Sequence, residues 1–314
     1  FLNMATTTMH GPHHVESLRT DGRECEYGLL DEMPKVQPPR ETVFERLEEA
    51  GLPVTHLTAG SLWMDDAFGA VMKKVEDMGL ADNTIFIWST DHGMGTRASK
   101  FTCYQGGVRI PYCMKWDGHI PAGLTTDALL ENVDFLPTMC GAAGIGVPDE
   151  VKTDGLDRWA QLTGGEDDRE DLFFEWGMTR AVRTQKYKYI ALRHTPEQIE
   201  HMKNNPEGNA MSMSGKFGPD YPMHKHPHYF DPDQLYDLQA DPDERVNLAE
   251  NSEYAEVLAD MKARLQEYLD TFPEPFDLDH IDPFVKTNAY RRLVENILKD
   301  ERLWNFYFYI EEAY

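Results

Sequence analysis

The chain has 314 residues, 41% of them hydrophobic, with 30 basic against 55 acidic side chains and a formal net charge of −25. At roughly 100 to 200 residues per domain, that length supports one large α/β unit plus a smaller one and argues against a disordered chain. The charge sets aside nucleic-acid and anionic-membrane partners, which would meet general repulsion, but not an anionic small substrate, because a bound divalent cation can dominate the field inside a pocket.

Residues 1 to 8 are apolar and β-branched and read as a strand, ended by the histidine-bearing loop Met9-His10-Gly11-Pro12-His13-His14. An opening that looks like the middle of a strand leads us to expect the natural beginning further upstream. After a polar stretch to Pro38-Pro39, Arg40 to Ala50 reads as a short helix closed by Gly51. Met64, Phe68, Val71, Val75 and Met78 then recur at spacings of four and three, one apolar helix face that stops at Gly79. Asp65 and Asp66 fall in the early part of that helix on this reading and suit the positive end of its dipole. Thr84 to Thr90 is apolar or β-branched at nearly every position, as a parallel strand covered on both faces should be. Helix followed by buried strand implies a crossover unit, and open sheets gather ligands beyond the carboxyl ends of such strands, where Asp91 and His92 fall. Val108 to Trp116 reads as another strand, and Val133 to Ala143 as a helix.

Residues 1–165 are therefore expected to be α/β, and residues 166–276 a smaller α+β unit. In the latter, Leu172 to Trp176, Ala181 to Thr184 and Tyr187 to Leu192 read as a small antiparallel sheet. Residues 194–230 read as a long loop of the kind that shapes substrate pockets, and Ser252 to Leu269 as an amphipathic helix over the sheet. The tail, 277–314, is rich in rings from Trp304 to Tyr309 and is expected in packing or subunit contact. Cys25, Cys103, Cys113 and Cys140 are too widely spaced to indicate a zinc knuckle or a disulfide scaffold. No apolar run approaches the ~20 residues of a membrane helix, and no basic-then-apolar leader is visible.

Chemistry concentrates after the strand at 84–90. Asp91-His92-Gly93, then Lys100 and Tyr104-Gln105-Gly106-Gly107-Val108-Arg109-Ile110-Pro111, would let one short segment supply two metal ligands and a cation for an anionic substrate. The alternatives are a strand-end turn in which Asp91 caps the following loop, and an exposed loop lysine. Arg97 lies between them and could meet a substrate carboxylate or simply the solvent. The cluster His224-Lys225-His226-Pro227-His228 could bind an acidic sugar or a metal ion, or be a solvated loop.

Seven segments in order resemble the sulfatase family of the alkaline-phosphatase-like superfamily: His10-Gly11-Pro12; Leu80-Ala81-Asp82-Asn83-Thr84; Asp91-His92-Gly93; Lys100 with Tyr104 to Pro111; Asp134-Phe135-Leu136-Pro137-Thr138; Arg183-Thr184 with Lys186 to Tyr189; and Leu235-Tyr236-Asp237-Leu238 through Asp241-Pro242 to Asn247-Leu248. The resemblance implies part of an alkaline-phosphatase-like α/β/α sandwich with a smaller C-terminal antiparallel sheet plus helix. It also implies a metal-dependent hydrolase whose nucleophile is a formylglycine made from a Cys/Ser-x-Pro/Ala-x-Arg motif. That motif does not occur in these 314 residues, nor does the family's early Asp-Asp metal pair, so the match is to the carboxyl-terminal portion. The missing amino-terminal part of the catalytic domain is then an expected partner, and the chain alone is expected to be inactive.

By the same resemblance Asp91 and His92 would bind Ca²⁺, with Mg²⁺ as the alternative. Lys100 would contact a sulfate oxygen and the leaving-group oxygen, where charge grows as the S–O bond breaks. His10 would touch sulfate or protonate the departing alcohol. His13 is a further substrate-contact candidate, beside the reading of His13 and His14 as ordinary loop residues, and Gln105 replaces a common Glu. The implied substrate is a sulfated carbohydrate or another small sulfate ester, and the implied setting periplasmic, secreted or lysosomal. A second copy of the chain is a further partner candidate. The competing readings are a phosphonate or phosphate monoester hydrolase of the same superfamily and a catalytically silent binding or assembly subunit.

Overall fold

A computed structural model of the chain describes residues 1–6, 14–25, 27–33, 35–93, 99, 102–204, 225–273 and 276–278. Two units emerge, Phe1–Ile87 with Met114–Ala122, and Trp88–Cys113 with Gly123–Tyr314.

The first unit contains α1 (His14–Leu18), a short ribbon of β1 (Glu24–Cys25) and β2 (Gly28–Leu29), α2 (Val43–Glu49) and α3 (His56–Asp77). Residues 1–6 have no regular structure, against the expected strand, since β-branched character makes a strand only where a partner lies beside it. His14, expected in a loop, begins α1 and is buried. A 3-10 turn at Arg40–Thr42 leads directly into α2, and Gly51 takes φ +68 just beyond that helix, the left-handed conformation glycine tolerates best. Leu18, Val43, Leu47 and Ala59 form the core of this unit, with Leu62 and Trp63 of α3 packed against them.

The start of α3 is set by Thr55, whose hydroxyl accepts the Thr58 backbone N–H while the Thr58 side chain answers the Thr55 N–H. The helix therefore begins earlier than its apolar face suggests. Asp65 and Asp66 lie in its middle, far from the positive end of its dipole. Asp66 is instead buried in a two-pronged bond with Arg46 of α2, at 2.7 and 2.8 Å, which fastens the two helices.

β3 (Phe86–Ser89) and β4 (Tyr112–Lys115) form a two-stranded sheet. Of β3 only Phe86 is buried, while Ile87 and Trp88 are half-covered and Ser89 is exposed, so the expected coverage on both faces is not met among the described residues. The stretch expected as one strand from Val108 instead begins with a turn of helix, α4 (Gln105–Val108). The Gly107 and Val108 N–H groups both fold back onto the Tyr104 carbonyl, at 2.8 and 3.1 Å.

The second unit continues through α5 (Phe135–Ala142) and α6 (Trp159–Leu162) into an antiparallel sheet. Its strands are β5 (Leu172–Trp176), β6 (Thr179–Arg183) and β7 (Tyr187–Leu192), with the sheet order β5-β6-β7-β8 completed after α7 (Pro196–Asn204) by β8 (Asp233–Asp237). The segment read as a loop from 194 thus holds a helix. Register pairs Val182 with Tyr189 and Tyr189 with Leu235. These three side chains share one face with Ala191, and α8 (Ala255–Leu269) covers it with Met261, Leu265 and Leu269. At roughly 1.5–3 kcal/mol per fully buried side chain, that row anchors the unit.

Period two sends Ala181, Ile190 and Tyr236 to the opposite face, where Cys103 and Tyr104 cover them. The sheet thereby fixes the segment that leads into α4. Nearby, Asp134 is buried and bonded in two-pronged fashion to Arg169 at 2.6 and 2.8 Å, while Arg158 pairs with Asp167 and Asp168.

Candidate active site

Beyond β3 the backbone bends through Thr90, Asp91 and His92 under local control. The Thr90 hydroxyl donates to the His92 carbonyl at 2.7 Å, and an Asp91 carboxylate oxygen accepts the His92 N–H at 3.0 Å. Gly93 ends the bend by donating its N–H to the Gly107 carbonyl at 2.8 Å. The two backbones run so close that a Cβ on Gly93 would stand 2.5 Å from the Gly106 carbonyl oxygen. A Cβ on Gly107 would collide with the Ser99 and Thr102 carbonyls. Glycine is required at both places because of this crossing.

The crossing orients a donor pair. His92 holds Nδ1 3.0 Å from the Gly93 carbonyl, which can only accept, so Nδ1 is the donor there and the neutral form of the ring has its lone pair on Nε2. That Nε2 lies 3.7 Å from Asp91 Oδ1. The separation suits two donors sharing one divalent cation at ~2.3–2.6 Å each. The Asp91 side chain is 86% exposed and that of His92 38%, so both are open to a ligand. Imidazole nitrogen and carboxylate oxygen are also a donor set that divalent cations accept. The pair therefore fits a cation, while a group of three or more ligating side chains is not found among the described residues.

Tyr104 roots α4 in the sheet. Its hydroxyl donates to Gln234 Oε1 at 2.6 Å, where the Tyr236 hydroxyl also arrives at 2.9 Å, and burial raises the Tyr104 phenol well above its ordinary value. His226 stacks flat on the Tyr104 ring, with centroids 3.6 Å apart and planes 2° apart. At 2% exposure it is a core ring and not part of a solvated loop. Burial pushes its imidazole down to about 3, with the Lys225 charge adding to the effect. His228, from the same cluster, instead pairs with Asp231 at 2.7 Å.

The structure thus brings Asp91 and His92 together. His10, His13, Arg97, Lys100 and His224 lie outside the described residues, as does the aromatic stretch Trp304 to Tyr309. Sequence reasoning passed over Lys188 and Glu244, a buried pair that grips Gln105 at the start of α4. The available signal was a lysine at an inward-facing position of a strand that is otherwise apolar on that face.

Comparison with known proteins gives three matching families along the chain. They are "Sulfatase" over residues 1–145, "N-sulphoglucosamine sulphohydrolase, C-terminal" over 95–215, and "C-terminal region of aryl-sulfatase" over 167–290. The chain belongs to the sulfatase family. Among curated sulfatases, human arylsulfatase A is 34% identical over 204 residues, covering 59% of this chain and 37% of that protein. An ulvan-active sulfatase of Formosa agariphila is 32% identical over 197 residues, with the same 59% and 37% coverage. The chain therefore spans well under half the length of these relatives. A solved Bacteroides thetaiotaomicron structure, described under the metabolism of multiple glycosaminoglycans, shares the fold with a TM-score of 0.52 and 22% identity, over 68% of this chain and 44% of that one. The α/β class with its C-terminal antiparallel sheet and helix, expected from the sequence, agrees with that likeness.

Proposed function

We propose that this sulfatase-family chain supplies the cation-binding edge of a sulfuric ester hydrolase acting on a sulfated carbohydrate, with the formylglycine nucleophile carried by residues outside these 314. The observation that carries the reading is the donor pair of Asp91 Oδ1 and His92 Nε2, 3.7 Å apart and both open to a ligand. Membership in the sulfatase family, with human arylsulfatase A and an ulvan-active sulfatase among the relatives, supports the ester class.

Asp91 would contribute an anionic oxygen and His92 a neutral nitrogen whose tautomer is set by Gly93 before any ligand arrives. A divalent cation held there, Ca²⁺ or Mg²⁺, would supply Lewis-acid polarisation of a sulfate oxygen. Lys100, seven residues past Gly93, would place an ammonium at the departing oxygen, and His10 a proton donor on the leaving alcohol. Arg97, His13 and His224 are proposed as contacts to the rest of an acidic sugar. No helix among the described residues is long and apolar enough to cross a membrane, and we place the enzyme outside the cytoplasm by family analogy.

The test pairs the chain with a formylglycine-bearing segment and compares rates on aryl sulfate and aryl phosphonate. Preferred turnover of the sulfate ester, with kcat falling at least tenfold in Lys100→Ala at unchanged cation affinity, is the expected result. Turnover by the isolated chain, or preference for the phosphonate, would overturn it.

A further inference from the structure

Lys188 of β7 and Glu244 form an ion pair with side chains 0% and 1% exposed, Nζ to Oε1 at 2.8 Å. The chemistry proposed above uses neither. Taking two charges out of water is expensive, and apolar residues of similar volume commonly serve stability as well or better, so the pair calls for another account. Glu244 is moreover the one non-glycine residue with positive φ among the described residues, at 55°. Such backbone strain persists only where the surroundings impose it, and it gathers at functional sites. Here the imposing contacts are visible. Glu244 N–H donates to the Asp241 carbonyl at 3.1 Å, and the Asp241 carboxylate accepts the N–H groups of Arg245 and Val246 at 2.7 and 2.8 Å.

The strained backbone aims both carboxylate oxygens at useful partners. Oε1 takes the Lys188 ammonium, and Oε2 takes the backbone N–H of Gln105 at 2.6 Å. The same ammonium donates to the Gln105 side-chain oxygen at 3.2 Å. Gln105 is thus gripped by main chain and side chain at the first position of α4. Two residues later the Gly107 carbonyl accepts the Gly93 N–H, and the Gly106 carbonyl abuts Gly93 where a Cβ would be. Gly93 in turn fixes the His92 ring through its own carbonyl. Every link in this chain lies within one unit of the fold. Burial pushes the Lys188 ammonium down from its ordinary value, with Glu244 opposing the shift.

We propose that the buried Lys188–Glu244 pair is a positioning device for Asp91 and His92, acting through Gln105 and the Gly106-Gly107 turn. The purpose of the device rests on the reading of Asp91 and His92 as cation ligands; the mechanical link does not. Neither residue touches a substrate or cation.

The test uses the full chain, first without metal. In the double variant Lys188→Met/Glu244→Leu, amide exchange at Gly93 is expected to speed at least tenfold, with Tyr189 and Leu235 amides as internal references that stay unchanged. Mn²⁺ affinity, read by electron paramagnetic resonance, is expected to weaken at least tenfold. A folded double variant whose Gly93 amide exchanges within twofold of the parent overturns the proposal. If the double variant does not fold, Glu244→Gln decides: its NH₂ must face either the Gln105 N–H or the Lys188 ammonium, so Gly93 exchange is expected to rise about fivefold, and unchanged exchange overturns the link. Absence of Mn²⁺ binding by the parent would sink the cation reading alone, because Gly93 exchange still reports on the device.

Discussion

The sheet β5–β8 under α8 and the bend at Asp91–Gly93 are held by opposite means. In the sheet, apolar side chains pack on both faces, and the buried Tyr104 and Tyr236 hydroxyls share Gln234. At the bend, side chains point outward, and order comes from two backbones crossing at glycine. The proposed donor pair is therefore held apart from the packed core: a bend can be ordered without a core of its own, provided a core elsewhere fixes what it leans on.

The sharpest way to break the comparison is Leu265→Ala, which empties a fully buried position between α8 and the sheet. It should cost about 3 kcal/mol in urea unfolding, with Mn²⁺ affinity of the folded fraction preserved. Gly93→Ala strikes the other region. Forcing a methyl against the Gly106 carbonyl is expected to cost ~2 kcal/mol, and here Mn²⁺ affinity should fall at least tenfold, measured by calorimetry.

His226→Phe keeps the stack on Tyr104 and removes a titrating ring, so it tests the core through pH. The folded imidazole sits at about 3, below its ordinary value of 6.5, so as pH falls below 6.5 the unfolded chain takes up a proton that the folded chain refuses. The neutral ring's contribution is complete above 6.5 and is lost down to about 3. Parent stability should thus fall faster than the variant's by at most ~1.4 kcal/mol per pH unit in that window, read from denaturation midpoints. Asp91→Asn should give the smallest effect on stability, within about 0.5 kcal/mol, because the side chain is exposed, while cation binding is lost to calorimetric detection.

Local signals were legible where one rule governed. The run Tyr187 to Leu192 was legible as a strand of a small antiparallel sheet, and the amphipathic stretch Ser252 to Leu269 as the helix over it, α8. The dipeptide Asp91-His92 could be singled out because it follows a strongly apolar run. What stayed hidden depended on contacts distant in sequence. The fate of Asp66 depends on Arg46 of α2, whereas the start of α3 at His56, set by the local Thr55–Thr58 cap, was within reach of the sequence and was missed because the apolar face begins later. His226 looked solvated among polar neighbours, yet Tyr104, far away in the chain, offers it a flat partner. Lys188 and Glu244 are each ordinary alone and become informative only as a buried pair, and Gly93 and Gly107 explain one another only once the two backbones meet.

One consequence follows from the imidazole in the proposed donor pair. Swapping one carboxylate oxygen for a ring nitrogen makes the pair softer, so its preference tilts toward later first-row ions along the Irving–Williams order. Material prepared in contact with nickel or zinc should then carry the wrong ion and gain Ca²⁺ or Mg²⁺ only after chelation, which makes loading history a variable to control in every comparison of variants.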